Sequence, residues 1–178
     1  MLFAVNAFLR FLALGVLGGV RDPSAASARE VLTHIGPSQV GTWRHLRALR
    51  GGATESDRRS AVHALGAARS ALAVEELVNA LDDPSLHVRE ESAVALGEIA
   101  DSRAAEALIE HLHEPASGIV DEAAAALGRI GDERAIAPLA LLLVEGEKTD
   151  RIAAARALGR LPFPESMEAL LHAFRLKR

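Results

Sequence analysis

The dipeptide Leu-Gly recurs at Leu65-Gly66, Leu96-Gly97, Leu127-Gly128 and Leu158-Gly159, a constant period of about 31 residues. A fixed period of this length marks a chain built from stacked copies of one supersecondary unit. The flanks keep the same step. Asp101-Ser-Arg103-Ala is matched by Asp132-Glu-Arg134-Ala, and Pro84 by Pro115.

Each unit reads as two helices. The first runs roughly over 56–66, with equivalents at 88–97, 119–128 and 150–159. The second runs roughly over 72–81, with equivalents at 103–112, 134–144 and 165–174. In the second helices Val74, Leu77, Val78 and Leu81 match Ala105, Leu108, Ile109 and Leu112. They match again at Ile136, Leu139, Ala140 and Leu143, then at Met167, Leu170, Leu171 and Phe174. Spacing of i, i+3, i+4 and i+7 makes one apolar stripe per helix. Asp101 and Asp132 stand where N-caps belong. Pro138 falls in a first turn, where a missing N–H costs little. The repeated glycine lies near the end of the first helix, where a small residue serves close helix approach or a C-terminal turn. A degenerate first unit precedes these, with Trp43 and Leu46 standing one period before Val74 and Leu77. An atypical terminal unit is expected of a capped stack.

Composition agrees. Ala occurs 35 times and Leu 26 times in 178 residues, so strong helix formers dominate. Cys is absent, which removes disulfides, thiolate metal sites and cysteine catalysis. The net charge of −4 averages unlike parts. Residues 1–59 carry eight basic and four acidic side chains, and residues 60–178 carry twelve and twenty.

The stretches Val88-Arg-Glu-Glu-Ser-Ala-Val-Ala-Leu-Gly97 and Asp101-Ser-Arg-Ala-Ala-Glu-Ala-Leu-Ile109 resemble HEAT repeats, in the short subtype called PBS-lyase HEAT-like. The resemblance implies an all-α fold, a right-handed α-solenoid of about five helix pairs. The expected units are about 25–52, 56–84, 87–115, 118–146 and 149–176. It also implies second helices lining a concave face, in a family whose members mostly bind other proteins.

Residues 2–20 are apolar apart from Asn6 and Arg10. Nineteen residues at a 1.5 Å rise span roughly 28 Å, about the hydrocarbon thickness of a bilayer. Arg10 near the centre costs roughly 3 kcal/mol, which about a dozen Leu, Val and Phe outweigh. The expectation is a hydrophobic helix over 1–22, before a repeat domain over 23–178. A spanning helix competes with a cleaved signal and with a helix packed on the first repeat. If the segment spans, the basic residues after it place the repeats on the cytoplasmic side. The cytoplasm is the expected compartment. The run from Ala7 to Ala13, followed by Val20-Arg-Asp-Pro23, is also similar to the last membrane helix of major-facilitator-type transporters, some of which carry C-terminal HEAT repeats.

Chemistry is sparse. Deoxyhypusine hydroxylase resembles such an array but uses His-Glu pairs for iron. The matching positions here are Arg59-Ser60, Glu90-Glu91, Asp121-Glu122 and Ile152-Ala153, without histidine. His111 and His113 are i, i+2 on a helix, so their rings diverge, and both read as surface residues near a helix C-terminus. With one Trp and no Tyr, the chain lacks the aromatics to hold a flipped base. No catalytic, cofactor or metal residue is expected, and no nucleic acid.

Opposite the apolar stripes stand Glu75, Glu106, Ala137 and Glu168 in one column, and Asn79, Glu110, Leu141 and His172 in the next. The expected partner-binding residues are therefore Glu75, Asn79, Glu106, Glu110, Leu141, Glu168 and His172, suited to a basic or extended protein. Arg58, Arg89 and Arg151 share a column, as do Arg103 and Arg134, and an Asp–Arg ladder between units is expected. The functional expectation is a non-enzymatic interaction scaffold, membrane-tethered or the tail of a transporter-like protein. The alternative is a lyase-type subunit of the phycobilin-lyase class.

Overall fold

A computed structural model of the chain describes residues 37–50 and 54–176. The chain divides into two compact units, 1–41 and 42–178. Residues 37–41, the start of helix α1 (Pro37–Arg50), are the part of the first that is described. The expected hydrophobic helix over 1–22, with its membrane, signal and transporter readings, lies outside the described residues. So does the side chain of Trp43. No described helix is long and apolar enough to cross a membrane.

The described residues are all-helical, with no strand among them. After α1 come α2 (Glu55–Ala67), α3 (Val74–Asn79), α4 (Leu86–Ile99), α5 (Ala105–Leu112), α6 (Val120–Ile130), α7 (Ile136–Glu145), α8 (Lys148–Leu158) and α9 (Pro164–Leu176). First helices α2, α4, α6 and α8 stack on one another in order, and each of α3, α5 and α7 packs on the first helix of the next unit. This is the expected solenoid of HEAT-like pairs. Helix boundaries shift slightly from expectation. The starts of the second helices are tight 3-10 turns (71–73, 102–104, 133–135) rather than α-helix.

The Leu-Gly signature is a packing device. The leucines Leu65, Leu96, Leu127 and Leu158 are buried, each stabilising the fold by roughly 1.5–3 kcal/mol. The glycines let first helices touch. A Cβ on Gly66 would lie 2.8 Å from Ala95 Cβ, on Gly97 2.9 Å from Ala126 Cα, and on Gly128 2.9 Å from Ala157 Cα. Of the two sequence readings, close approach is correct. The turns that end these helices lie just beyond, at Arg69, Ala100 and Gly131. These three keep the period of the repeat and turn the chain with φ of 47°, 58° and 77°. The next position in that series is Pro162, which cannot take a positive φ.

The apolar stripes of α3, α5 and α7 are largely buried, but that of α9 is not. Met167, Leu171 and Phe174 are 57%, 49% and 65% exposed, because no further unit covers them among the described residues.

Candidate functional site

The seven residues assigned to a partner face, Glu75, Asn79, Glu106, Glu110, Leu141, Glu168 and His172, are all exposed, on the second helices α3, α5, α7 and α9. The acidic column is not a bare ridge. Arg134 Nη1 stands 3.7 Å from Glu106 Oε2. Glu106 thus has a guanidinium from the following unit beside it.

Those arginines also form the ladder, in a different way from the expected one. Asp101 and Asp132 cap the 3-10 turns by accepting from the N–H groups of Arg103 and Arg134, both at 3.0 Å. The same carboxylates hold the guanidinium groups of their own unit, with Nη2 at 2.7 Å. The join between units is made by a further bond to backbone. Arg103 Nη2 donates to Ala71 O at 2.9 Å and Arg134 Nη2 to Ser102 O at 3.1 Å. The guanidinium beside each aspartate, together with the turn N–H, holds both carboxyls below the ordinary carboxylate value.

A second arginine column ties the loops between units. Arg58 Nε and Nη2 donate to Asp83 at 2.7 and 2.9 Å. Burial pushes the Asp83 carboxyl up, but the bonds from Arg58 and the Ser85 N–H outweigh it, and the net direction is down. Arg89 donates to Ser117 O at 3.0 Å and to Asp83 O at 2.8 Å. Arg151 donates to Gly146 O at 3.1 Å.

Two side chains differ from expectation. His111 is buried rather than on the surface, because α5 turns it toward the preceding loop. Its Nε2 lies 3.8 Å from Asp82 Oδ1, and its Nδ1 has no partner among the described residues. Glu122, a first-turn acid of α6 of the kind that ordinarily stands in solvent, is half-buried. Burial pushes its carboxyl up, and the charges of Glu90 and Asp121 add to this. No described group of acids and histidines could hold a metal ion.

Three clefts lie along α6 and α8 and the loops that flank them. The first, about 280 Å³, has Leu112, Pro115, Val120 and Leu142 as its apolar wall and Glu145, Glu147 and Asp150 at its edge. Leu141 also lines it. The second, about 380 Å³, is mainly basic, with Arg129, Arg156 and Arg160 around Ala125, Ile152 and Ala153 and the one acid Asp121 in its lining. The third, about 370 Å³, shares Pro115, Val120, Glu147 and Asp150 with the first and adds Asp121 and Glu122. Sequence reading missed all three, since they arise where successive units face each other.

Known proteins place this geometry. The HEAT repeat model matches residues 44–127, and the PBS lyase HEAT-like repeat model matches 120–145 and 150–175. Among solved structures, the chain is similar to one from the complex of CpcE and CpcF of phycocyanin lyase from Nostoc sp. PCC7120. The TM-score is 0.61 at 27% identity, over 88% of this chain and 67% of that one. No curated protein matches. The family matches start at residue 44, so they lend nothing to the membrane and transporter readings of the N-terminal segment. The expectation of a non-enzymatic scaffold is corrected: the solved neighbour belongs to a lyase, and the repeat subtype is that of the lyase. That expectation weighed the lack of catalytic and cofactor residues within the one chain. A solenoid presents extended surfaces instead, and the neighbour is part of a complex of two proteins, so a site within one chain is the wrong test. Two repeat models together take in residues 44–145 and 150–175, and the chain belongs to the HEAT-repeat family, with units of the PBS lyase HEAT-like kind.

Proposed function

We propose that this chain is a subunit of a lyase of the phycobilin class, working in complex with a second protein. The observation that carries the reading is the likeness to a chain of the phycocyanin lyase complex over 88% of this one. The repeat subtype supports it independently.

The described surface divides the work in a way that fits. A bilin is a long, largely apolar tetrapyrrole bearing carboxylates. The cleft of Arg129, Arg156 and Arg160 over Ile152 and Ala153 offers guanidinium forks beside an apolar wall, the pairing that carboxylates on an apolar body need. Without cysteine, the chain cannot hold a chromophore through a thiolate of its own. Its role is to bind and orient. The exposed faces of α3, α5, α7 and α9, with Glu75, Asn79, Glu106, Glu110, Leu141, Glu168 and His172, are left for the second protein, a basic or extended one.

Co-expression of the chain with a bilin source, a phycocyanin-type acceptor and each candidate second subunit from its host tests this. The expected result is a change in the bilin fluorescence band that survives denaturing electrophoresis, attenuated in Arg156→Glu. An unchanged band with every second subunit overturns the lyase reading. A changed band that Arg156→Glu leaves untouched removes the arginine cleft from it.

A further inference from the structure

The arginine column that ties the inter-unit loops has a gap. Arg58, Arg89 and Arg151 share one register of the repeat, and the position between the last two is Val120. Arg58 meets a carboxylate there, while Arg89 and Arg151 meet backbone carbonyls, and the carboxylate equivalent to Arg58's is still present. Asp83, which accepts both bonds from Arg58, has its equivalent two periods on at Glu145. Val120 is too short and apolar to reach it. Among the described residues no lysine, arginine or histidine pairs with Glu145, Glu147 or Asp150. Arg151, the nearest cation in the column, directs its bond to Gly146 O.

The space left is the first cleft, of about 280 Å³, with Val120 in its wall and Glu145 at its edge. Its neighbour through Val120 adds Asp121 and Glu122. An apolar wall ending in carboxylates that pair with no described cation, with His113 in the lining bonded instead to Ile109 O, is the complement of one arginine side chain. We propose that this cleft receives an arginine of a partner polypeptide, whose guanidinium takes beside Glu145 the place that Arg58 fills beside Asp83. The stem lies along Val120, Leu112 and Leu142, and the fork meets Glu145. Carboxylate-bearing ligands are excluded by the same charges. The first cleft shares no lining residue with the basic one, and the proposal stands whether or not the lyase reading holds.

The test uses the full chain, with amide shifts followed by NMR during titration with the blocked tripeptide acetyl-Ala-Arg-Ala-amide. Saturable shifts centred on Leu141, Gly146 and Gly118 are expected. The citrulline tripeptide, equal in shape but neutral, should bind at least about tenfold more weakly. Val120→Arg should abolish the shifts by filling the cleft from within. Because that variant places a long side chain at a buried position, Glu145→Gln, a change at an exposed residue, is the parallel probe and should weaken the response. No saturable shift, an equal response to citrulline, an unaltered response in Glu145→Gln, or tighter binding of free arginine than of the tripeptide each overturns the proposal.

Discussion

Gly97 and Ala126 meet so closely that a Cβ on Gly97 would fall 2.9 Å from the Ala126 Cα. The contact recurs at Gly66 with Ala95 and at Gly128 with Ala157, always with an alanine of the next first helix. Backbone cannot move aside as a side-chain tip can, so Gly97→Ala should cost about 1–3 kcal/mol by overpacking. Gly159 has the same place in its unit but meets nothing nearer than Ala155 O of its own helix, at 3.3 Å. Gly159→Ala should change stability by less than about 1 kcal/mol. Paired urea melts check both, and equal losses at the two positions would refute the close-contact reading.

Ala100 holds a conformation that suits glycine. Its φ of 58° puts its Cβ near the following carbonyl, a strain of roughly 1–2 kcal/mol. Gly131 makes the same turn one unit later without that strain. Ala100→Gly should therefore stabilise by about 0.5–1 kcal/mol, the relief being partly offset by added freedom in the unfolded chain. A thermal melt reads this directly, and a lower melting temperature would contradict it.

The capping aspartates make the array acid-sensitive. Asp83, Asp101 and Asp132 have folded values below the ordinary 3.8. Their stabilisation is complete above that value and is lost as pH falls through the lower folded values. The contribution of these three should hold flat toward pH 4 and drop below it. Asp132→Asn should lower stability at pH 7 and shrink the drop. A variant that keeps the full acid-dependent loss would show that the titration lies elsewhere.

Glu122 acts with the opposite sign. Its carboxyl is raised by burial and by Glu90 and Asp121, so the folded state prefers the protonated form. Its ionisation costs stability as pH rises through the folded value, and the cost persists at neutral pH. Glu122→Gln should raise the melting temperature at pH 7 and leave it little changed well below pH 4. Carboxyl carbon shifts followed by NMR against pH would show the raised midpoint, and a midpoint at or below the ordinary value would exclude it.

The stack of helix pairs was legible because packing repeats with the sequence. Leu65, Leu96, Leu127 and Leu158 are buried for one reason, four times over. What depends on a neighbour was less legible. Met167, Leu171 and Phe174 carry the same pattern as Val74, Val78 and Leu81, yet lie exposed because no following unit covers them among the described residues. His111 sits inside because of a loop from the preceding unit. The first cleft left a trace, a valine in a column of arginines, but an absent side chain shows only when its equivalents are seen holding something. Function was least legible: the sequence offered no catalytic or cofactor residue, while the fold is similar to that of a chain from a lyase complex.

The gap at Val120 bears also on motion. The α3–α4 loop is gripped by guanidinium groups from both sides, Arg58 at Asp83 and Arg89 at the Asp83 carbonyl. The α7–α8 loop is held from one side alone, by Arg151. Fraying therefore has a direction. Amides of α8 and α9 should exchange with solvent at lower free energy than those of α4 and α5, making the last joint the one that gives first when the array is bent.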